Sequence, residues 1–187
     1  STKTNEIRTV HFCYAMKNTR SLCFFSILLI VSACSSDADD DNTQGQPEIM
    51  LSEATTEIKD ASFEQALIDL NFDDELDGEI VDSRVRSVTS LTLDGSGISD
   101  LTGISVFEEL ENLSVRNNEL TSLNVTENSK LKFVWAENNQ LSSLNIRDLS
   151  ILEKVGVDNN ELTSIDVDGL STLQYLGVSN NNLTSID

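Results

Sequence analysis

Aromatic residues make up only 5% of the chain, too few to supply a conventional globular core. A repeat architecture, in which each unit buries its apolar face on the next, needs fewer. Basic residues are scarce as well: 12 Lys and Arg stand against 32 Asp and Glu, for a formal net charge of −20. So acidic a surface excludes nucleic acid as a partner, because little is left to neutralise phosphates. Proline occurs once, histidine once as His11, and cysteine three times, at Cys13, Cys23 and Cys34. The 187 residues suffice for one domain with additional segments.

What is present begins with an export pattern. Residues 17–34 read KNTRSLCFFSILLIVSAC. Lys17 and Arg20 form a basic start, and Leu22 to Val31 is a predominantly apolar run. That run is shorter than the roughly 20 residues needed to span a bilayer core of about 30 Å, and its length suits the apolar region of a signal peptide. Val31-Ser32-Ala33-Cys34 then resembles the lipobox of bacterial lipoproteins. The resemblance implies cleavage before Cys34 and lipid attachment there, with a palmitate-type acyl chain. Met16 stands where a start codon gives a compact signal, so 16–33 is read as the signal and 1–15 as unassigned upstream sequence. His11, Cys13 and Cys23 then leave with it. The mature chain keeps one cysteine, forms no disulfide and has no histidine.

The next stretch, SSDADDDNTQGQPE, is polar and acidic. It is expected to be a disordered tether, taken over 34–57. Serine followed by acidic residues directly after the cysteine resembles the export signal of lipoproteins on the outer face of the outer membrane; the other reading is a plain solvated spacer. The expected location is therefore the bacterial outer membrane, lipid-anchored and facing the exterior.

Residues 58–87 are read as a helical cap. Phe63, Ala66, Leu67 and Leu70 fall at i, i+3, i+4 and i+7, one face of a helix, with Asp60 or Ser62 available to cap its start. In FDDELDGEIVD, Asp73, Glu75 and Asp77 alternate and Gly78 sits where an EF-hand loop has its glycine. Position 12 of such a loop is Arg84, not glutamate, and no second helix pattern follows. The loop reads as turn chemistry, and no metal or cofactor is assigned.

From residue 88 a period takes over. Leu110, Leu131, Leu152 and Leu173 are 21 residues apart, and so are Leu113, Val134, Val155 and Leu176. Asn118, Asn139, Asn160 and Asn181 keep the same step, as do Leu120, Leu141, Leu162 and Leu183. An earlier unit, from Val88 through Leu91, Leu93, Ile98 and Leu101, carries Ser96 at the asparagine position. Four full units and a cut fifth span 88–187, incomplete at the C-terminus. This is the leucine-rich repeat pattern, L-x-x-L-x-L-x-x-N-x-L. Phrases such as ISDLTGI (98–104) and NNELTSLNV resemble the bacterial 21–22-residue repeats of internalins and many surface lipoproteins, and the stretch ASFEQALIDLNFDDELDGEI looks like the segment preceding such arrays. The resemblance implies a right-handed superhelix, one short parallel strand per repeat, and a curved face used for binding.

The asparagine pairs divide their labour. The second of each pair, Asn118, Asn139, Asn160 and Asn181, reads as scaffold, its amide satisfying backbone groups left unpaired by the bend. The first, Asn117, Asn138, Asn159 and Asn180, reads as turn-forming and exposed, and its truncation to alanine is expected to cost well under ~1 kcal/mol.

Strand alternation sends the residues between the paired apolar positions outward. Trp135 then points away from the core, with Phe133 on the same face and Tyr175 two coils along, roughly 10 Å away at strand spacing. Gly156 and Gly177 leave the column beside Trp135 empty. Such a shelf suits a sugar ring or an apolar side chain, with Arg116, Lys154 and Glu137 orienting the ligand from the rim. The same side chains also fit lateral packing between coils. The carboxylates do not converge, and no catalytic set emerges, so an enzyme is not expected. Two classes remain: a surface-anchored module that binds a protein or carbohydrate, touching the membrane through its lipid only, and a structural spacer that carries a further C-terminal domain.

The lipobox has a direct test. Cys34→Ala should move the protein from membrane to soluble fractions and abolish fatty-acid labelling; labelling that survives the substitution sinks the lipobox reading.

Overall fold

The computed structural model describes residues 53–186. The signal segment, Cys34 and all but the end of the acidic tether lie outside the described residues. Among the described residues no helix is long and apolar enough to cross a membrane.

The chain enters through strand β1 (Thr55–Glu57) and helix α1 (Ala61–Asp69), then strand β2 (Glu79–Val81) and the short helix α2 (Asp82–Val85). β1 pairs antiparallel with β2, Thr56 opposite Ile80. The cap is therefore mixed α/β, and it includes three residues that sequence reading leaves in the tether. Short strands this close to charged residues carry little periodicity to read.

Asp60 starts α1: its Oδ1 accepts from the amides of Ser62 at 2.8 Å and Phe63 at 3.1 Å. Its Oδ2 accepts from the Ser99 amide at 2.8 Å, the Ser99 hydroxyl at 2.6 Å and the Asp100 amide at 3.0 Å. One carboxylate thus caps the helix and ties it to the first coil. Burial pushes this carboxyl up, but the hydrogen bonds from Ser99, Phe63 and Asp100 outweigh it and hold the group below its ordinary 3.8. Its stabilisation is present above that value and is lost as pH falls through the lower folded value.

Phe63 and Leu67 are fully buried and belong to one continuous core with Leu91, Leu93, Ile98 and Phe107. The helix so covers the open apolar end of the first coil, the need that any solenoid terminus has. Leu70 departs from the expected face. It is the C-cap residue and is 42% exposed, because the chain turns away at Asn71, where φ is +61°.

The repeats stack their first strands, Ser90–Thr92, Asn112–Ser114, Phe133–Trp135, Lys154–Gly156 and Tyr175–Gly177, into a five-stranded parallel sheet. Leu91, Leu113, Val134, Val155 and Leu176 align in register across it. The coil also has strands on its return side, beyond the one per repeat expected. Ser122–Asn124 pairs with Ser143–Asn145, and Ser164–Ile165 with Ser185–Ile186, all parallel. The phrase TSLNV explains them: Leu123 and Val125 are buried and Asn124 is exposed, the alternation of a strand with one covered face.

Between the two sides runs the asparagine ladder. Asn139 Nδ2 donates to the carbonyls of Ala136 in its own coil at 3.1 Å and Val115 in the preceding coil at 2.9 Å, while its Oδ1 accepts from the Leu120 amide at 3.1 Å. Asn160 repeats this with Val157, Ala136 and Leu141, and Asn181 with Val178, Val157 and Leu162. Asn118 reaches the Leu93 carbonyl and the amides of Ser96 and Ile98. The first asparagines turn the chain in the left-handed region, φ +55° to +59° at Asn117, Asn138, Asn159 and Asn180. They form a second, exposed ladder: Asn138 Nδ2 donates to Asn117 Oδ1 at 3.1 Å and Asn159 Nδ2 to Asn138 Oδ1 at 2.8 Å.

That backbone corrects one expectation. Alanine at Asn138 carries a left-handed penalty of roughly 1–2 kcal/mol, so the small cost expected from sequence applies to glycine, which adopts the turn freely. Asn139→Ala should lose about 1–3 kcal/mol in chemical denaturation, since it strips partners from buried backbone groups. Asn138→Gly should lose only a few tenths. Equal losses would refute the division of labour.

Candidate ligand-binding face

The parallel register fixes which side chains share a face. Ser90, Asn112, Phe133, Lys154 and Tyr175 form one outward column, and Thr92, Ser114, Trp135, Gly156 and Gly177 the other. Asp94, Arg116, Glu137 and Asp158 follow each strand at the next turn. All six residues proposed from sequence, Trp135, Phe133, Tyr175, Arg116, Lys154 and Glu137, lie on this face.

Their arrangement is tighter than the columns alone suggest. The space over Gly156 and Gly177 is filled rather than empty. A Cβ built on Gly156 would meet Trp135 Cε3 at 2.6 Å and Glu137 Oε1 at 2.8 Å. The indole therefore leans over the next coil. A Cβ on Gly177 would meet the Tyr175 hydroxyl at 2.8 Å, so the phenol ring lies along its own strand over Gly177, level with the tryptophan column. The two rings meet with centroids 5.9 Å apart and planes tilted by 51°, inside the range of favourable aromatic pairs and well below the separation expected from strand spacing.

A cation lies against the same indole. The Arg116 guanidinium carbon is 5.0 Å from the Trp135 ring centre, and its Nε donates to Glu137 Oε2 at 2.9 Å. Arg116, Trp135 and Tyr175 so form a continuous run along the solenoid axis. Beside it, Lys154 Nζ sits 5.5 Å from the Phe133 ring. Trp135 and Phe133 are half-buried, and Tyr175 is 46% exposed. Next to the indole lies a shallow depression of about 300 Å³, lined by Ser90, Thr92, Asp94, Asn112, Ser114 and Arg116.

Asp94, which sequence reading left without a role, shapes the near wall. Its Oδ1 accepts from the Ser114 hydroxyl at 2.7 Å and the Arg116 amide at 2.8 Å. Asp158 Oδ1 likewise accepts from the Ser179 amide at 2.7 Å. Asp94 and Asp158 stand three repeats apart at equivalent positions, but their amide partners depend on the register. These carboxylates are occupied in shaping turns.

No protein-family model matches the chain, and no curated protein does. Among solved structures, the functional domain of InlJ from Listeria monocytogenes, described as including a cysteine ladder, is similar over 72% of this chain, with a TM-score of 0.65 and 29% identity. An internalin from the same organism, InlF, is similar in fold over 68% of the chain, with a TM-score of 0.54 and 16% identity. The chain is an internalin-like leucine-rich repeat solenoid. It spans 31% of the InlJ chain and 45% of the InlF chain. Residues 53–186 of this chain contain no cysteine, and asparagine side chains join its coils.

Proposed function

We propose that the chain is a non-enzymatic recognition module of the bacterial surface, anchored through Cys34 at the outer membrane, whose strand face binds a protein or glycan partner. The observation that carries the reading is the Arg116–Trp135–Tyr175 run. A tryptophan in a chain with one tryptophan is held half-exposed between a cation and a second ring. Holding it there before any ligand arrives removes rotamer entropy that binding otherwise costs. Flat aromatic faces stack on sugar rings or apolar side chains, while Arg116, Lys154 and Glu137 supply charges that orient a partner. The likeness to internalin solenoids supports a surface interaction role over chemistry.

The competing reading, a spacer, makes no use of the shelf. Trp135→Ala should weaken binding by about 2 kcal/mol or more, close to 30-fold, as loss of a central aromatic anchor does. It should lower the melting temperature far less than Val134→Ala, whose side chain is fully buried. Glycan arrays and cell-surface pull-downs of the two variants and the parent chain measure the first effect, and thermal melts the second. A Trp135→Ala protein that binds everything the parent binds rules out the shelf. One that melts as early as Val134→Ala makes the tryptophan a packing residue.

A further inference from the structure

The cap holds a feature that the binding face does not explain. Three carboxylates converge beside the start of β2: Glu64 from α1, and Asp73 and Asp77 from the loop after it, with one oxygen of each within 4.8 Å of the others. Glu64 is only 3% exposed, and its Oε1 accepts from the amides of Asp77 at 2.7 Å and Gly78 at 2.6 Å. That contact folds the loop back over the helix. The Asp73 side chain is 6% exposed. Its Oδ1 accepts from the Asp74 amide at 3.0 Å and lies 3.5 Å from Arg84 Nη1, whose hydrogen bond goes to Asp74. Its Oδ2 is buried with no partner at all.

A buried carboxylate oxygen without a donor costs free energy, the more so with two further acids beside it. Burial, with the nearby Asp77 and Glu64 charges, pushes the Asp73 carboxyl above its ordinary value, against the Asp74 amide and Arg84. One arginine, already committed to Asp74, cannot offset three acids.

We propose that Glu64, Asp73 and Asp77 form a calcium site that fastens the cap. An all-oxygen, all-carboxylate set selects a hard divalent cation. Oxygens within 4.8 Å of one another can share one ion, and a set of three carboxylates favours calcium over magnesium, which keeps several waters and takes only one or two. The donor set differs from an EF-hand reading of the same loop. Glu75, which alternates with Asp73 and Asp77 in sequence, is exposed and outside the cluster, and the third carboxylate comes from the helix instead. The ion would join α1 to the loop whose Gly78 carbonyl accepts from the Ile58 amide at 2.8 Å. It would so stiffen the element that closes the first coil.

The test is calorimetric titration of the EDTA-treated full chain with calcium chloride, beside thermal melts in calcium and in sodium chloride of equal ionic strength. One saturable site with a dissociation constant of about 1 mM or below is expected, in the range of extracellular calcium modules, with a melting temperature raised by calcium and not by sodium. Asp73→Asn should weaken binding at least tenfold. In EDTA it should melt no earlier than the parent, since an amide is less costly to bury there than a carboxylate. Glu75→Gln should bind as the parent does. Glu64→Gln loses two amide contacts as well, so Asp73→Asn carries the test. No saturable binding by the parent overturns the proposal. So does an Asp73→Asn chain that binds equally well, or a Glu75→Gln chain that loses as much, either of which reduces the effect to diffuse acidity.

Discussion

Everything in this fold depends on a side-chain amide placed once per coil. Leaving the strand, the chain must bend within two or three residues, and the bend strands backbone donors and acceptors in the interior. Asparagine answers both needs from one position, since its amide donates through nitrogen and accepts through oxygen. Asn139 serves the Ala136 carbonyl of its own bend and the Val115 carbonyl and Leu120 amide of the coil before. A coil is thus incomplete alone and completed by the next. The first coil has Ser96 at this position, and its Ser96 and Ile98 amides are taken up by Asn118. On its outer side Asp60 takes the part of a preceding coil, holding the Ser99 and Asp100 amides while capping α1.

With the backbone satisfied by a repeating device, the outward columns are free to vary. Variation on this face is concentrated where Trp135 and Tyr175 stand beside Gly156 and Gly177. Glycine in a strand is ordinarily a loss of packing and β propensity. Here Gly156 lets the Trp135 indole lean over the neighbouring strand and Gly177 lets the Tyr175 ring lie along its own, and the cost is offset by ring-on-backbone and ring-on-ring contact. The result is a pair of tilted aromatic rings flanked by a polar hollow.

The period made the core, the strand register and the position of the ladder legible in the sequence, because a 21-residue step places equivalent residues on top of one another. It also predicted which residues face outward. What it could not give was lateral reach. Tyr175 closes on Trp135 because its ring swings over Gly177, a rotamer outcome that alternation does not encode. The cap was legible only as an amphipathic helix. Its strands pair Thr55–Glu57 antiparallel with Glu79–Val81, Thr56 opposite Ile80, and the approach of Glu64 to Asp73 and Asp77 follows from a fold-back held by two loop amides, which no local spacing signals. Leu70 fitted the helical face on paper but falls at the helix end, where the left-handed Asn71 redirects the chain.

Amide hydrogen exchange at single-residue resolution tests the ladder most directly. The Leu141 amide has a side chain as its acceptor, Asn160 Oδ1 at 2.9 Å, whereas the Ala136 amide donates to a strand carbonyl, that of Gly156, at 2.8 Å. If the asparagines bind the coils into one cooperative unit, Leu141 exchanges as slowly as Ala136, through the same large-scale opening, and Asn160→Ala accelerates both. If Leu141 exchanges at the rate of exposed loop amides while Ala136 stays protected, the ladder is decoration on a fold held by its leucines alone.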